Sequence, residues 1–291
     1  MVTAADVARV LRYETLIPAM ARALIDFSSG RVVQPVRTLV AAPDGLLGVM
    51  PAVYNGTMGA KLVTVFPGNA AHGIPGHQAI IQLFDATNGT PTGTLDGRII
   101  TEMRTAAVSA VAIDTLAPPD ARVLAVLGSG VQARAHIAAL RTVRPIEEIR
   151  IWSRTTEHAE RLAADVGATA TSPQAAVHGA DIVVTATHAL EPVLHGAWLV
   201  ERAVVAAVGA VGANHRELDD EAMRGSIVVD SREAAAREAG DILLADAKIY
   251  AELGEILAGT IPPPAVGPIV FKSLGLAIED LAAAQLVMQA R

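Results

Sequence analysis

The sequence predicts an α/β protein in which a doubly wound parallel sheet is joined to a second, α+β domain. Three observations carry that reading. Residues 122–127 form a continuous aliphatic run that enters a glycine turn and a helix. From there onward strands and helices alternate, whereas residues 32–95 read as short strands separated by hairpin signals. The α+β domain is expected over residues 1–116, completed by 268–291, and the parallel-sheet domain over 117–267.

In order, residues 4–27 predict one amphipathic helix with Val7, Val10, Leu11, Leu16, Ala23 and Leu24 among its apolar positions, ended by Ser28-Ser29-Gly30. Turn signals then follow at Pro43-Asp44-Gly45, Asn55-Gly56, Pro67-Gly68-Asn69, Asn88-Gly89 and Asp96-Gly97, so the strands between them form a mostly antiparallel sheet. Residues 101–116 predict a helix with a face of Ala106, Ala107, Ser109, Ala110 and Ala112, closed by Pro118-Pro119. Beyond the strand at 122–127 come a helix, a strand at 149–152, a helix from 155 to 166 ended by Gly167, and strands at 182–187 and 203–208. A helix at 217–224, a strand at 226–230, a helix at 232–239, the stiff Pro262-Pro-Pro264 connector and a last helix through Met288 complete the chain.

Composition narrows the class. With 52% hydrophobic and only 3% aromatic residues, the core of this 291-residue chain must be aliphatic. A net charge of −7 argues against nucleic acid or an anionic membrane as partner, and zero cysteines exclude disulfides, thiolate catalysis and thiolate-held metals. Mean hydropathy is high at +0.40, yet no uncharged apolar run reaches membrane-spanning length. Residues 1–6 lack the basic-then-apolar layout of a signal peptide, so a cytoplasmic protein is expected.

The strongest chemical signal is Gly128-Ser-Gly-Val-Gln-Ala133, a G-x-G-x-x-A turn between strand and helix. In a Rossmann unit the first glycine permits the turn and Gly130 lets backbone approach a pyrophosphate. Val131 and Gln132 open the helix whose N-terminus faces the anion. The second strand ends in Ser153-Arg154-Thr155, with no carboxylate before Glu157. Arg154 suits a ribose 2′-phosphate better than a 2′-hydroxyl, so NADPH is expected, with NADH possible but less preferred; the alternative is an arginine that merely caps the strand in solvent.

Three cations outside this unit are candidates for an anionic substrate. Arg104 falls in the first turn if Thr101 is the N-cap, where arginine and helix N-terminus together would receive a carboxylate; local pairing with Glu102 or another acid is the alternative. Lys61 interrupts the apolar run 60–66, either as a solvated edge-strand lysine or as a cation lining a cleft, and Arg37 carries the same ambiguity. No histidine has metal spacing. His77 alone sits in a plausible cleft turn, while His136, His158 and His178 read as surface positions on or beside helices, and Glu279-Asp280 reads as structural.

Together Gln34-Pro-Val-Arg-Thr38, Lys61-Leu-Val-Thr64, Ile100-Thr-Glu-Met-Arg-Thr-Ala-Ala107, the glycine turn, Arg216-Glu-Leu-Asp-Asp220, Val229-Asp-Ser231, Glu238-Ala-Gly-Asp241, Phe271-Lys-Ser-Leu-Gly275 and Ala277-Ile-Glu-Asp280 resemble the ornithine cyclodeaminase/mu-crystallin family. The resemblance implies a Rossmann domain, a second domain that forms a homodimer through its sheet, and a substrate pocket in a cleft. It implies that Arg37, Lys61 and Arg104 hold a substrate carboxylate, with Lys61 able to relay a proton, that Leu274 lines the pocket, and that His77 lies close to both ligands. Cofactor contacts would come from Gly128, Gly130, Val131, Gln132, Ser153, Arg154, Thr155, Thr187, Val208, Gly209 and Ser273. Val211 occupies the position where cyclodeaminases carry an aspartate; valine cannot take a proton, so the ketimine reductase branch, acting on a small cyclic imine carboxylate, is the nearer resemblance. An amino-acid dehydrogenase and a non-catalytic NADPH-binding protein remain as alternatives.

Overall fold

Thr3 opens the first helix, α1 (Ala4–Val10), with a capping box: its hydroxyl accepts from the Asp6 amide at 3.3 Å, and the Asp6 carboxylate accepts from the Thr3 amide at 3.1 Å. The single helix expected over 4–27 is in fact two. Leu11 and Arg12 are extended, and the Arg12 guanidinium donates to the carbonyls of Ala8, Arg9 and Leu11 before α2 (Tyr13–Ser28) begins. A side chain that satisfies the end of one helix thus starts the next. The computed structural model describes residues 1–290.

Strands β1 (Thr38–Ala42), β2 (Gly45–Tyr54), β3 (Thr57–Val65), β4 (His77–Asp85) and β5 (Pro91–Asp96) form an antiparallel meander in chain order. Asn55 and Gly56, at φ 53° and 75°, make the two-residue link between β2 and β3. One sheet face carries Met50, Ala52, Lys61, Val63, Ile81 and Leu83, all buried. The C-terminal helix (Ala277–Gln289) packs against α2 and against β2, β3 and β4. Asp96-Gly97, expected as a turn, starts a helix instead: the Asp96 carboxylate accepts from the amides of Arg98 and Ile99, and α3 runs Gly97–Leu116. Arg104 therefore lies in the second turn of α3, away from its N-terminus.

The chain divides into two units, one of residues 1–104 plus the segment from Gly275 onward, the other Thr105–Leu274. Both boundaries differ from those expected at 116/117 and 267/268. The second half of α3 belongs with the parallel sheet through Ser109 and Asp114, which bond to His136 and Arg144. Residues 269–272 are a strand inside that sheet, so 268–274 do not belong to the first domain.

The second unit runs β6 (Val123–Leu127), α4 (Val131–Leu140), β7 (Glu148–Trp152), α5 (Thr156–Val166), β8 (Thr169–Ala170), α6 (Pro173–Val177), β9 (Ile182–Thr185), β10 (Val204–Ala207), β11 (Ser226–Val229), α7 (Arg232–Glu238), α8 (Gly240–Leu244), β12 (Ile249–Glu252), α9 (Leu253–Leu257) and β13 (Ile269–Lys272). Its strands order β12-β11-β13-β10-β9-β6-β7-β8, every neighbouring pair parallel. The chain winds from β6 out to β8 and then returns to β9 on the other side. That reversal between β6 and β9 is the switch point at whose carboxyl end open α/β sheets bind ligands. The helix expected at 217–224 is absent except for a 3-10 turn at Ala222–Arg224, and Leu218 instead bridges Leu194.

Candidate functional site

In the first unit the sequence-predicted cations come together around two carboxylates. Lys61, on the inward face of β3 between Met50 and Ile81, is only 2% exposed. Its Nζ lies 2.6 Å from Asp280 Oδ2. Arg104, 5% exposed, donates from Nε to Asp280 Oδ1 at 3.0 Å and from Nη1 to Glu279 Oε2 at 2.8 Å. Both carboxylates sit fully buried in the first turn of the C-terminal helix, where the macrodipole favours negative charge. Arg37 Nη2 donates to the Gly275 carbonyl at 2.9 Å. Gly275 itself, at φ 81°, lies against the Arg104 guanidinium: a Cβ there would stand 2.5 Å from Nη1.

Arg37 is half-buried close enough to Lys61 to be felt by it, and His77, half-buried at the start of β4, adds a neutral ring. Burial pushes the Lys61 ammonium down to about 8, although Asp280 pulls the other way. Burial, then Lys61 and Arg104, hold the His77 imidazole down to about 4. For Asp280 burial raises the carboxyl, but Lys61 and Arg104 outweigh it and keep it below its ordinary range. A buried lysine and arginine held by buried acids, with a half-buried arginine near them, offer donors suited to a carboxylate. The expected role of the α3 N-terminus does not hold, because Asp96 begins the helix earlier and the acids around Arg104 come from the far end of the chain. Lys61 is no solvated edge lysine, since β3 is the central strand of its sheet.

In the second unit the predicted cofactor residues all fall at the carboxyl ends of strands. Gly128 to Gln132 follow β6, Ser153 to Thr155 follow β7, Thr187 follows β9, Val208 and Gly209 follow β10, and Ser273 follows β13. These five strands are adjacent in the order β13-β10-β9-β6-β7. Gly128, at φ 132°, passes so close to β9 that a Cβ would stand 2.5 Å from the Ala186 carbonyl oxygen. At Gly130 a Cβ would meet nothing within 4 Å, and Gly130 caps α4 with no side-chain bond. Ser129 donates to Ser153 across the turn at 2.8 Å, Val131 is exposed, and the buried Gln132 Oε1 has no hydrogen-bond partner. The Ser153-Arg154-Thr155 tip leaves Arg154 exposed, in no ion pair among the described residues. Leu274 is buried, its amide donating to Asp230 Oδ2 at 2.7 Å. Val211 is half-buried against the apolar core of this unit.

His158 and His178 are exposed, as expected, but His136 is not. It is fully buried on α4, bonding Gln132 O through Nδ1 at 2.7 Å and Ser109 Oγ through Nε2 at 2.9 Å. Burial pushes its imidazole down to about 4. Sequence reading also missed the partners of the cations. Two adjacent acids opening the otherwise apolar helix 277–289 were the available signal, since buried charge requires an opposite charge.

A family model described as the ornithine cyclodeaminase/mu-crystallin family matches residues 1–290. The chain belongs to that family. It is 47% identical over 283 residues to the ketimine reductase mu-crystallin of Mus musculus, covering 94% of this chain and 90% of that protein. The solved structure of Thermococcus litoralis Δ1-pyrroline-2-carboxylate reductase in complex with NADH and L-proline superposes with a TM-score of 0.95 at 32% identity, covering 99% of this chain and 96% of that one. An archaeal alanine dehydrogenase dimer with bound NAD superposes at 0.94 with 29% identity, covering 99% and 94% of the two chains. The open backbone at Gly130, the uncapped start of α4 and the unpartnered Gln132 oxygen fit a dinucleotide in this chain too.

Proposed function

We propose that this protein is an NADPH-preferring reductase of cyclic ketimine carboxylates, such as Δ1-pyrroline-2-carboxylate or Δ1-piperideine-2-carboxylate. The class, a reductase acting on C=N bonds with a nicotinamide coenzyme, rests on the ketimine and pyrroline-carboxylate reductase relatives. The observation that supports the substrate is the clustering of buried Lys61 and Arg104 beside Glu279 and Asp280, with half-buried Arg37 near Lys61, cations of the kind that hold a carboxylate. Val211 supports reduction over cyclodeamination, because it offers no base at the position of the family aspartate.

Glycine backbone at 128 and 130 and the start of α4 would hold the coenzyme's pyrophosphate, with Arg154 beside the 2′-phosphate. Bound there, the dihydronicotinamide supplies a hydride. Arg37 and Arg104 hold the substrate carboxylate and so fix the imine carbon, which is much of the catalytic task. Lys61 Nζ keeps a proton on the imine nitrogen, so that C=N becomes CH–NH. Purified protein with NADPH should consume both cyclic imines, more slowly with NADH; coenzyme oxidation that requires pyruvate plus ammonia instead would favour the amino-acid dehydrogenase reading that the alanine dehydrogenase likeness supports.

The outward face of the meander aligns Val40 with Leu47, Val49 with Leu62 and Ile80, and Val53 with Met58. Val40, Leu47, Val53, Met58 and Ile80 are exposed. We assign this face to a homodimer, which sedimentation should show; a mass of one chain at micromolar concentration would refute it.

A further inference from the structure

We propose that Glu217 is a positioning residue for the coenzyme: its carboxylate holds the loops after β9 and β10 in the form that receives the nicotinamide half. This rests on the reductase reading above. Oε1 accepts from the Thr187 amide and the Thr187 hydroxyl, each at 2.7 Å. Oε2 accepts from the amides of Gly209 at 2.8 Å and Ala210 at 3.1 Å. A carboxylate has about four acceptor sites, and all are used here within a fully buried side chain. Neither loop is helix or strand at these residues, so without Glu217 these amides would have no acceptor in the ladders.

Glu217 is itself held from behind. Its amide and that of Leu218 donate to Asp241 Oδ1 at 2.7 and 2.9 Å. Asp241 Oδ2 pairs with Lys272 Nζ at 2.8 Å, both side chains fully buried. Lys272 donates onward to the Ala210 carbonyl at 2.6 Å, closing the ring on the loop where it began. Next along the chain, the Ser273 hydroxyl and the Leu274 amide donate to Asp230 Oδ2, at 3.0 and 2.7 Å. The relay therefore fixes the carboxyl ends of β9, β10 and β13, three adjacent strands that begin at the switch point. The fit around it is tight: a Cβ at Gly209 would collide with the Thr187 backbone and with Glu217 Oε1.

The test is Glu217→Gln in the full chain, whose amide nitrogen must face either the amides of Gly209 and Ala210 or the amide and hydroxyl of Thr187, so that at least one loop N–H loses its acceptor. Asp219→Asn is the control, because Asp219 caps Gly196 and Ala222 elsewhere in the same unit. NADPH affinity is read by fluorescence titration, thermal midpoint by calorimetry, and loop order by backbone amide exchange without coenzyme. Glu217→Gln should weaken NADPH about tenfold or more. It should also speed exchange at Thr187, Gly209 and Ala210, whereas Asp219→Asn lowers the midpoint and does neither. Wild-type NADPH affinity in Glu217→Gln, or a loss no larger than that of Asp219→Asn, would overturn the proposal alone. Wild-type protein that takes up neither NADPH nor NADH would overturn the reductase reading and this proposal together. If Glu217→Gln does not fold, Glu217→Asp, one methylene too short to reach both loops, replaces it in the same three measurements, with the same results supporting or overturning the proposal.

Discussion

Each unit buries a lysine against an aspartate, and the two pairs are used differently. In the second unit Lys272 is spent on protein: Asp241 and the Ala210 carbonyl take its charge, and the acids around it accept from backbone amides. In the first unit Lys61 and Arg104 share Asp280, a further arginine stands nearby, and burial leaves Lys61 at about 8. Where charges are matched by fixed dipoles a buried pair serves geometry. Where several cations cluster, the proposed function assigns them to a substrate carboxylate instead.

The contrast breaks first at Arg104. Arg104→Ala should lower kcat/KM for a cyclic imine carboxylate about a hundredfold, the upper end for a charge-assisted bond, while NADPH affinity stays within a few-fold. With their shared arginine gone, Glu279 and Asp280 should also cost about 3–5 kcal/mol of stability in denaturant titrations. Equal losses toward coenzyme and imine would mean that the first-unit cluster, like the second, is scaffolding.

Arg154→Ala sharpens the comparison from the other unit. NADPH affinity should fall about ten- to a hundredfold and NADH affinity hardly at all, because only the phosphorylated ribose offers the arginine an anion. Comparable losses for both would remove the NADPH preference.

The smallest effect is in pH. A lysine lowered to about 8 is charged below that value and neutral above it, so carboxylate binding and the imine proton are both lost as pH rises. The rate at limiting substrate should be flat up to pH about 8 and then fall by about tenfold per unit. The Lys61→Arg variant, which stays charged, should lose that limb whatever its overall rate, and a limb that persists would point to another group.

Much of the architecture was legible because it depends on neighbours in sequence. The strand entering Gly128, the Asn55-Gly56 link and the Gly167 helix stop are local signals, and each forms as expected. The start of α3 is not legible locally, because an aspartate before glycine serves equally as a turn and as an N-cap. Residues 217–224 favour a helix by composition, but distant loop amides recruit the Glu217 carboxylate. His136 was expected at the surface, yet α4 buries Ala133, Ala135, Ile137, Ala139 and Leu140, leaving it little polar face to present. No spacing rule pairs Arg104 with acids about 175 residues away. Tertiary partners were the part that had to be seen.

Gly275 shows how small a change would reach the chemistry. The guanidinium of Arg104 rests where that residue's side chain would have been, so a single added methyl would have to displace the arginine from its acids or twist the chain out of a left-handed backbone. The missing side chain of Gly275 is what leaves the guanidinium room beside its acids.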